Sequence, residues 1–209
     1  VRAHLSLRAF PAGLMSDLSI FWLSYFLLLA FGLVVLRIIV RRDYLRRGRL
    51  SKPVSLLQSA LFFIYGGFPV IYLNDDWPVV HVPTAVNFIG LSFIILGLSF
   101  LFFGMIKLGI LRSIGRGEEH LELAGIYCGI RNPQALACGL YVVGFAMLWP
   151  SWQALAWAIL YFVLIHVMII TEEEHLLRIH GDEYAKNCRE VPRYFRLHSL
   201  VLCLTVITT

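Results

Sequence analysis

Four stretches of this chain contain no Asp, Glu, Lys or Arg: Leu18 to Leu36, Pro53 to Asn74, Trp77 to Ile106 and Asn132 to Thr171. A predominantly apolar run of about 20 residues is the length a helix needs to cross the hydrocarbon of a bilayer. Each of the first three suits one helix, the third starting near Thr84. The fourth is too long for a single span and is broken near its middle by Trp149, Pro150 and Ser151, so it reads as a helical hairpin. The expected fold is all-α, a polytopic membrane helix bundle of about five transmembrane helices with spans four and five as the hairpin. Composition agrees: 59% of the 209 residues are hydrophobic and 15% charged, whereas soluble domains are roughly 45–50% apolar.

Charge placement predicts the orientation. All of the 18 Lys and Arg residues except Arg2 and Arg8 fall on one side of a five-span bundle, in the loop after span one, the loop after span three, and the tail. Short loops rich in Lys and Arg stay in the cytoplasm during insertion, so the N-terminus is expected outside and the C-terminus in the cytoplasm. The net charge of +5 then reflects topology, with anionic headgroups as partners, and not nucleic-acid binding. Cys128, Cys138, Cys188 and Cys203 show no Cys-x-x-Cys spacing, and no metal site or disulfide framework is expected.

Three regions follow. Residues 1–106 read as a transmembrane scaffold, since spans one to three hold almost no ionisable side chain. Gly90, Gly97 and Gly104 recur every seven residues and form one stripe of the third span, a spacing that lets helices approach closely in lipid. Residues 107–196 carry a polar loop, the hairpin and a polar tail, and function is sought there. Residues 197–209 form an apolar tail too short to span.

Two constellations carry the chemistry. At Arg131-Asn132-Pro133, Asn132 is a favourable N-cap and Pro133 a favourable first helical residue. The fourth span should therefore begin there, either simply capped with Arg131 at the headgroups or offering an anion site for a cofactor carboxylate. At Glu172-Glu173-Glu174, three carboxylates stand where the fifth span ends. Acidic groups are costly near hydrocarbon and tolerated beside a cavity or partner. Either these three form a solvated helix end, or, because the hairpin returns the fifth helix to the depth where the fourth began, one Glu pairs with Arg131. His166, inside the fifth span, reads as a hydrogen-bonded packing residue or as part of an access path. Tyr127 and Tyr184 could stack on a cation or an adenine, or anchor the interface.

Together these segments resemble the isoprenylcysteine carboxyl methyltransferase and phospholipid methyltransferase superfamily. The resemblance runs over about Glu119 to Tyr194. It is carried by His120-Leu121, Gly125-Ile126-Tyr127 and Arg131-Asn132-Pro133, then by Glu172-Glu173-Glu174-His175-Leu176, Gly181-Asp182-Glu183-Tyr184 and Val191-Pro192-Arg193. Asn132, Ala135, Asn187 and Val167 depart from the family's usual His, Tyr, Tyr and Arg.

The resemblance implies an S-adenosylmethionine-dependent methyltransferase whose C-terminal segment covers the cofactor on the cytoplasmic side. It assigns His120, Leu121, Gly125, Tyr127, Asn132, Pro133 and Glu173 to cofactor binding, and Arg131 and Glu172 to the reacting centre. The acceptor it implies is lipophilic or lipidated, most like an isoprenylcysteine. A phospholipid amine and a small thiol are alternatives, and a non-enzymatic membrane protein is the rival of another class. No Gly-x-Gly-x-x-Gly follows a strand, so no Rossmann domain is expected.

Overall fold

A computed structural model describes residues 12–72, 80–108, 127 and 129–194. Among these every regular element is helical. The first helix, α1 (Ala12–Val34), runs without interruption through a π-helical stretch (Val35–Val40) into α2 (Arg41–Arg47). It is closed by Gly48, whose φ of 72° lets its N–H reach the Tyr44 carbonyl at 3.0 Å, the left-handed cap that glycine adopts without a Cβ clash. Helix α3 (Lys52–Tyr72), α4 (Thr84–Leu108), α5 (Pro133–Leu148) and α6 (Trp152–Glu190) follow. Three helices are long and apolar enough to cross a membrane, Ser19–Arg47, Thr84–Ile106 and Trp152–Glu190, and Pro133–Leu148 is a shorter apolar helix. Each of the five expected spans corresponds to a helix, and the first continues past its expected end at Leu36 through the basic residues.

The hairpin is present as read. Trp149 ends α5, and Ser151 starts α6 by accepting the Ala154 N–H on its side-chain oxygen at 3.1 Å, a cap typical of serine.

The glycine stripe faces α5. A Cβ built on Gly97 would sit 2.6 Å from the Ala137 carbonyl oxygen, and one on Gly144 would sit 2.5 Å from the Gly90 carbonyl oxygen. Backbone therefore meets backbone at both levels, and only hydrogen at Cα permits it. At Gly104 the fit is looser, with Gln134 Cγ at 3.4 Å. The packing role of the stripe is borne out at Gly90 and Gly97.

The core lies on the other side of the hairpin. Leu36, Leu61, Tyr65, Trp157, Leu160, Leu164 and Ile169 are buried together. Trp157 donates its indole N–H to the Tyr65 carbonyl at 2.7 Å, and the Tyr65 hydroxyl donates to the Leu28 carbonyl. One aromatic pair thus ties α1, α3 and α6, with the indole N–H and the phenol hydroxyl of the pair both hydrogen-bonded.

Candidate functional site

The site is built where α5 begins, α6 leaves its apolar stretch after Thr171, and the segment after α6 folds back. Pro133 is the first residue of α5 and Asn132 its N-cap position. The cap differs from expectation. Asn132 makes no side-chain cap bond; its amide nitrogen instead donates to the Arg193 carbonyl at 3.2 Å. The Arg131 N–H donates to the Pro192 carbonyl at 3.1 Å. The segment after α6 therefore lies directly across the start of α5, because a fixed-φ Pro192 without its own N–H presents a carbonyl there.

Glu173 stands at the centre. Its carboxylate is 2.9 Å from Arg131 Nη1 and takes a fork from Arg193, with Nε at 3.0–3.1 Å and Nη2 at 2.6 Å. The Arg131 and Glu173 side chains are only 10% and 12% exposed. A bidentate guanidinium contact in such a setting is both strong and directional. One carboxylate thus joins the start of α5, the end of α6 and the tail. Arg131 also lies 2.8 Å from the Cys188 sulfur and is hydrogen-bonded to Tyr184. Burial, with Glu173 nearby, pushes the Tyr184 phenol well above its usual range.

Tyr184 and Cys188 reach Arg131 because α6 is kinked at Gly181, where φ is 50° and ψ is −122°. That backbone conformation is essentially reserved for glycine. The Gly-x-x-Tyr motif therefore has a mechanical meaning: the glycine redirects the helix and the tyrosine lands in the arginine cluster.

The three consecutive glutamates go three ways. Glu174 pairs with Arg41 at 2.7 Å and Arg37 at 2.9 Å, from the π stretch and α2, and Arg41 above all holds its carboxyl below the usual range. Glu172, one residue past the apolar stretch and partly exposed, turns toward α3, where Gln58 hydrogen-bonds it. Burial pushes Glu172 up to about 7, opposed by the Gln58 bond and reinforced by Glu173. Such a carboxyl exchanges its proton near neutral pH, as a general base must.

The sequence-based pairing of Arg131 with a glutamate is met by Glu173. Tyr127 is described and partly buried, whereas His120, Leu121 and Gly125 lie outside the described residues. Ala135, where the family has a polar side chain, is packed into the core. His166 Nδ1 is 2.5 Å from the Tyr194 hydroxyl, the hydrogen-bonded arrangement that was one of its two readings. Arg193 belonged to the Val-Pro-Arg motif but carried no assigned role. Gln58, Arg37 and Arg41 come from the half read as scaffold. For Gln58 the available signal was an isolated amide in an otherwise apolar run.

The comparisons with known proteins bear on this half of the chain. Residues 86–183 match the family described as Phospholipid methyltransferase, a stretch from α4 through the hairpin that includes Arg131, Glu172 and Glu173. No curated protein and no solved structure matches. Over residues 86–183, which contain the hairpin and its carboxylates, the chain is similar to the phospholipid methyltransferase family, part of the membrane methyltransferase superfamily that its motifs resemble.

Proposed function

We propose that the protein is an S-adenosylmethionine-dependent methyltransferase that acts at the membrane edge on a lipophilic acceptor, with its site on the cytoplasmic side. The family generally uses this methyl donor. The observation that carries the reading is the clamp of Glu173 by Arg131 and Arg193, which gathers three motif segments of the superfamily around the start of α5.

The residues fit the cofactor in one respect that can be read directly. Arg131 Nε is buried and has no hydrogen-bond partner among the described residues, and a buried donor left so is costly. Asn132 leaves the first N–H groups of α5 without a side-chain cap, where a carboxylate is favoured by the free N–H groups and the helix dipole. Arg131, Asn132 and Pro133 would hold the cofactor's carboxylate end, and His120, Leu121, Gly125 and Tyr127 would complete its cradle. Glu173 supports that cradle by fixing Arg131. The cofactor supplies an electrophilic methyl group when bound.

The protein's part is alignment and exclusion of water, together with proton management by Glu172. Motif likeness favours an isoprenylcysteine-like carboxylate as acceptor, which needs no base. Glu172, poised at about 7, favours an amine or thiol that must surrender a proton.

The test is calorimetric binding of S-adenosylhomocysteine to detergent-purified protein and to an Arg131→Ala, Glu172→Ala double variant. Micromolar binding by the parent that the variant loses supports the reading. No binding by a folded parent sinks it and promotes the non-enzymatic alternative.

A further inference from the structure

Between Arg37 and Lys52 the chain carries seven Lys and Arg residues and one acid, Asp43. The fold divides these cations into two sets. Arg37 and Arg41 pair with Glu174, and Arg47 lies 3.0 Å from Asp43. Arg42, Arg46, Arg49 and Lys52 are exposed and make no ion pair among the described residues. This stretch lies outside the segment that matches the family.

The unpaired set is gathered by its neighbours. Asp43 accepts the Ser51 N–H at 2.6 Å and the Ser51 hydroxyl at 2.7 Å. These bonds fold the turn after Gly48 back on α2 and keep Arg49 and Lys52 beside it. On the inner side Tyr44 stacks on His175 with ring centroids 4.1 Å apart, and the Leu45 carbonyl accepts from Arg178 at 3.0 Å. Arg42 and Arg46 each stand two residues from Tyr44, about 160° around the helix from it, and so face away from the side of α2 that packs on α6. Like charges four apart on a helix repel each other, a strain that an anion relieves.

We infer that Arg42, Arg46, Arg49 and Lys52 form a docking platform for the headgroup of an acidic phospholipid, whose occupation steadies α2 on α6. Anionic headgroups suit the cytoplasmic cations as a whole; the fold concentrates them on these four. The lipid source follows from position. Helix α3 starts at Lys52 and its uncharged run begins at the next residue, Pro53, which sets the platform level with the edge of the hydrocarbon. Leu45 and Leu56, 44% and 71% exposed, flank the cations, and Lys and Arg stems lie along apolar surface while their heads reach phosphate. The four cations stand together only while α2 is wound and the turn is closed. A lipid that binds them therefore favours that state. The platform does not depend on the methyltransferase reading.

Thermal unfolding of the full chain tests this, in nanodiscs of phosphatidylcholine alone or of phosphatidylcholine and phosphatidylglycerol in equal parts. The parent should melt about 5 °C or more higher in the mixed bilayer, and high salt should shrink the difference. Hydrogen exchange over residues 41–52 should slow in the same bilayer. Arg42→Gln, Arg46→Gln should lose at least half of the rise. In phosphatidylcholine alone it should melt like the parent, since neither side chain has an ionic partner to lose. Lys186→Gln, Arg189→Gln removes equal charge from the end of α6 and should keep the rise.

Equal melting of the parent in the two bilayers overturns the platform, as does an Arg42→Gln, Arg46→Gln variant that responds like the parent. A control that loses as much overturns it too, because the response is then one of net charge. If Arg42→Gln, Arg46→Gln does not fold, Arg49→Gln, Lys52→Gln decides with the same expectation. Soluble glycerol phosphate added to phosphatidylcholine nanodiscs should leave the melting unchanged, and a rise equal to that with phosphatidylglycerol overturns the lipid source.

Discussion

Arg131 and Glu173 meet at 2.9 Å although one precedes α5 and the other lies beyond the apolar part of α6. The turn at Trp149 to Ser151 brings them to one level, and Arg193 closes on the same carboxylate from the tail. Removing one member strands the others in a nearly water-free setting, which costs more than the pair itself contributes. Glu173→Gln should therefore lower stability by about 3 kcal/mol and release the tail. Thermal unfolding in detergent checks the first effect and protease cleavage near Arg193 the second. In a double-mutant cycle with Arg131→Met, much of the loss should be recovered, because the buried Arg131 charge is then gone as well and Arg193, 37% exposed, can be solvated.

Glu172 gives a stability signature with a definite sign. A carboxyl raised from its model value of 4.5 to about 7 holds its proton in the folded state while the unfolded chain has released it. Its contribution is complete below pH 4.5 and is lost as pH rises through about 7. Glu172→Gln should be neutral at pH 5 and stabilising at pH 8, by about 2 kcal/mol after allowing for partial exposure. Melting temperatures of parent and variant across that range decide it, and a gain at pH 5 equal to that at pH 8 would contradict the assignment.

The α4–α5 seam predicts a graded response along one stripe. Gly97→Ala places a methyl 2.6 Å from the Ala137 carbonyl oxygen and must push the helices apart, costing about 2 kcal/mol as an overpacked site. Gly104→Ala meets only the side chain of Gln134 at 3.4 Å and should be nearly neutral or slightly stabilising. Comparing the melting temperatures of the two variants is the measurement, and similar losses at both positions would argue against a localised contact.

Gly181 separates backbone strain from packing, since a Cβ there would meet nothing within 4 Å. Any loss in Gly181→Ala therefore comes from the φ of 50° and ψ of −122° alone, on the order of 1–3 kcal/mol. Straightening the helix would also draw Tyr184 and Cys188 away from Arg131. S-adenosylhomocysteine affinity should fall alongside stability, and Gly181→Asn should be less damaging than Gly181→Ala because asparagine tolerates positive φ better.

The bundle and hairpin were legible because they rest on long uncharged runs and on a Trp-Pro-Ser break, both local features of the chain. The glycine stripe was legible for the same reason, a fixed spacing on one helix. Pairing Arg131 with a glutamate needed only the hairpin's equal arms. Which glutamate it would be depended on helical phase at α6, and a run of three does not reveal that phase. The side-chain cap at Asn132 failed because a competing acceptor, the Arg193 carbonyl, arrives from a segment sixty residues away. Gln58, Arg37 and Arg41 were hidden by distance along the chain. Their partners lie more than a hundred residues downstream on α6; nothing local to Arg37 or Arg41 announces them, and the isolated amide of Gln58 marks a position without naming its partner.

Successive side chains on a helix point about 100° apart, so Glu172, Glu173 and Glu174 project like the bits of a key. Each meets a different lock: Gln58, the pair Arg131 and Arg193, and the pair Arg37 and Arg41. A rotation of α6 by one residue would offer every carboxylate to its neighbour's partner. The run of three thereby fixes the angular setting of the longest helix against both halves of the chain at once.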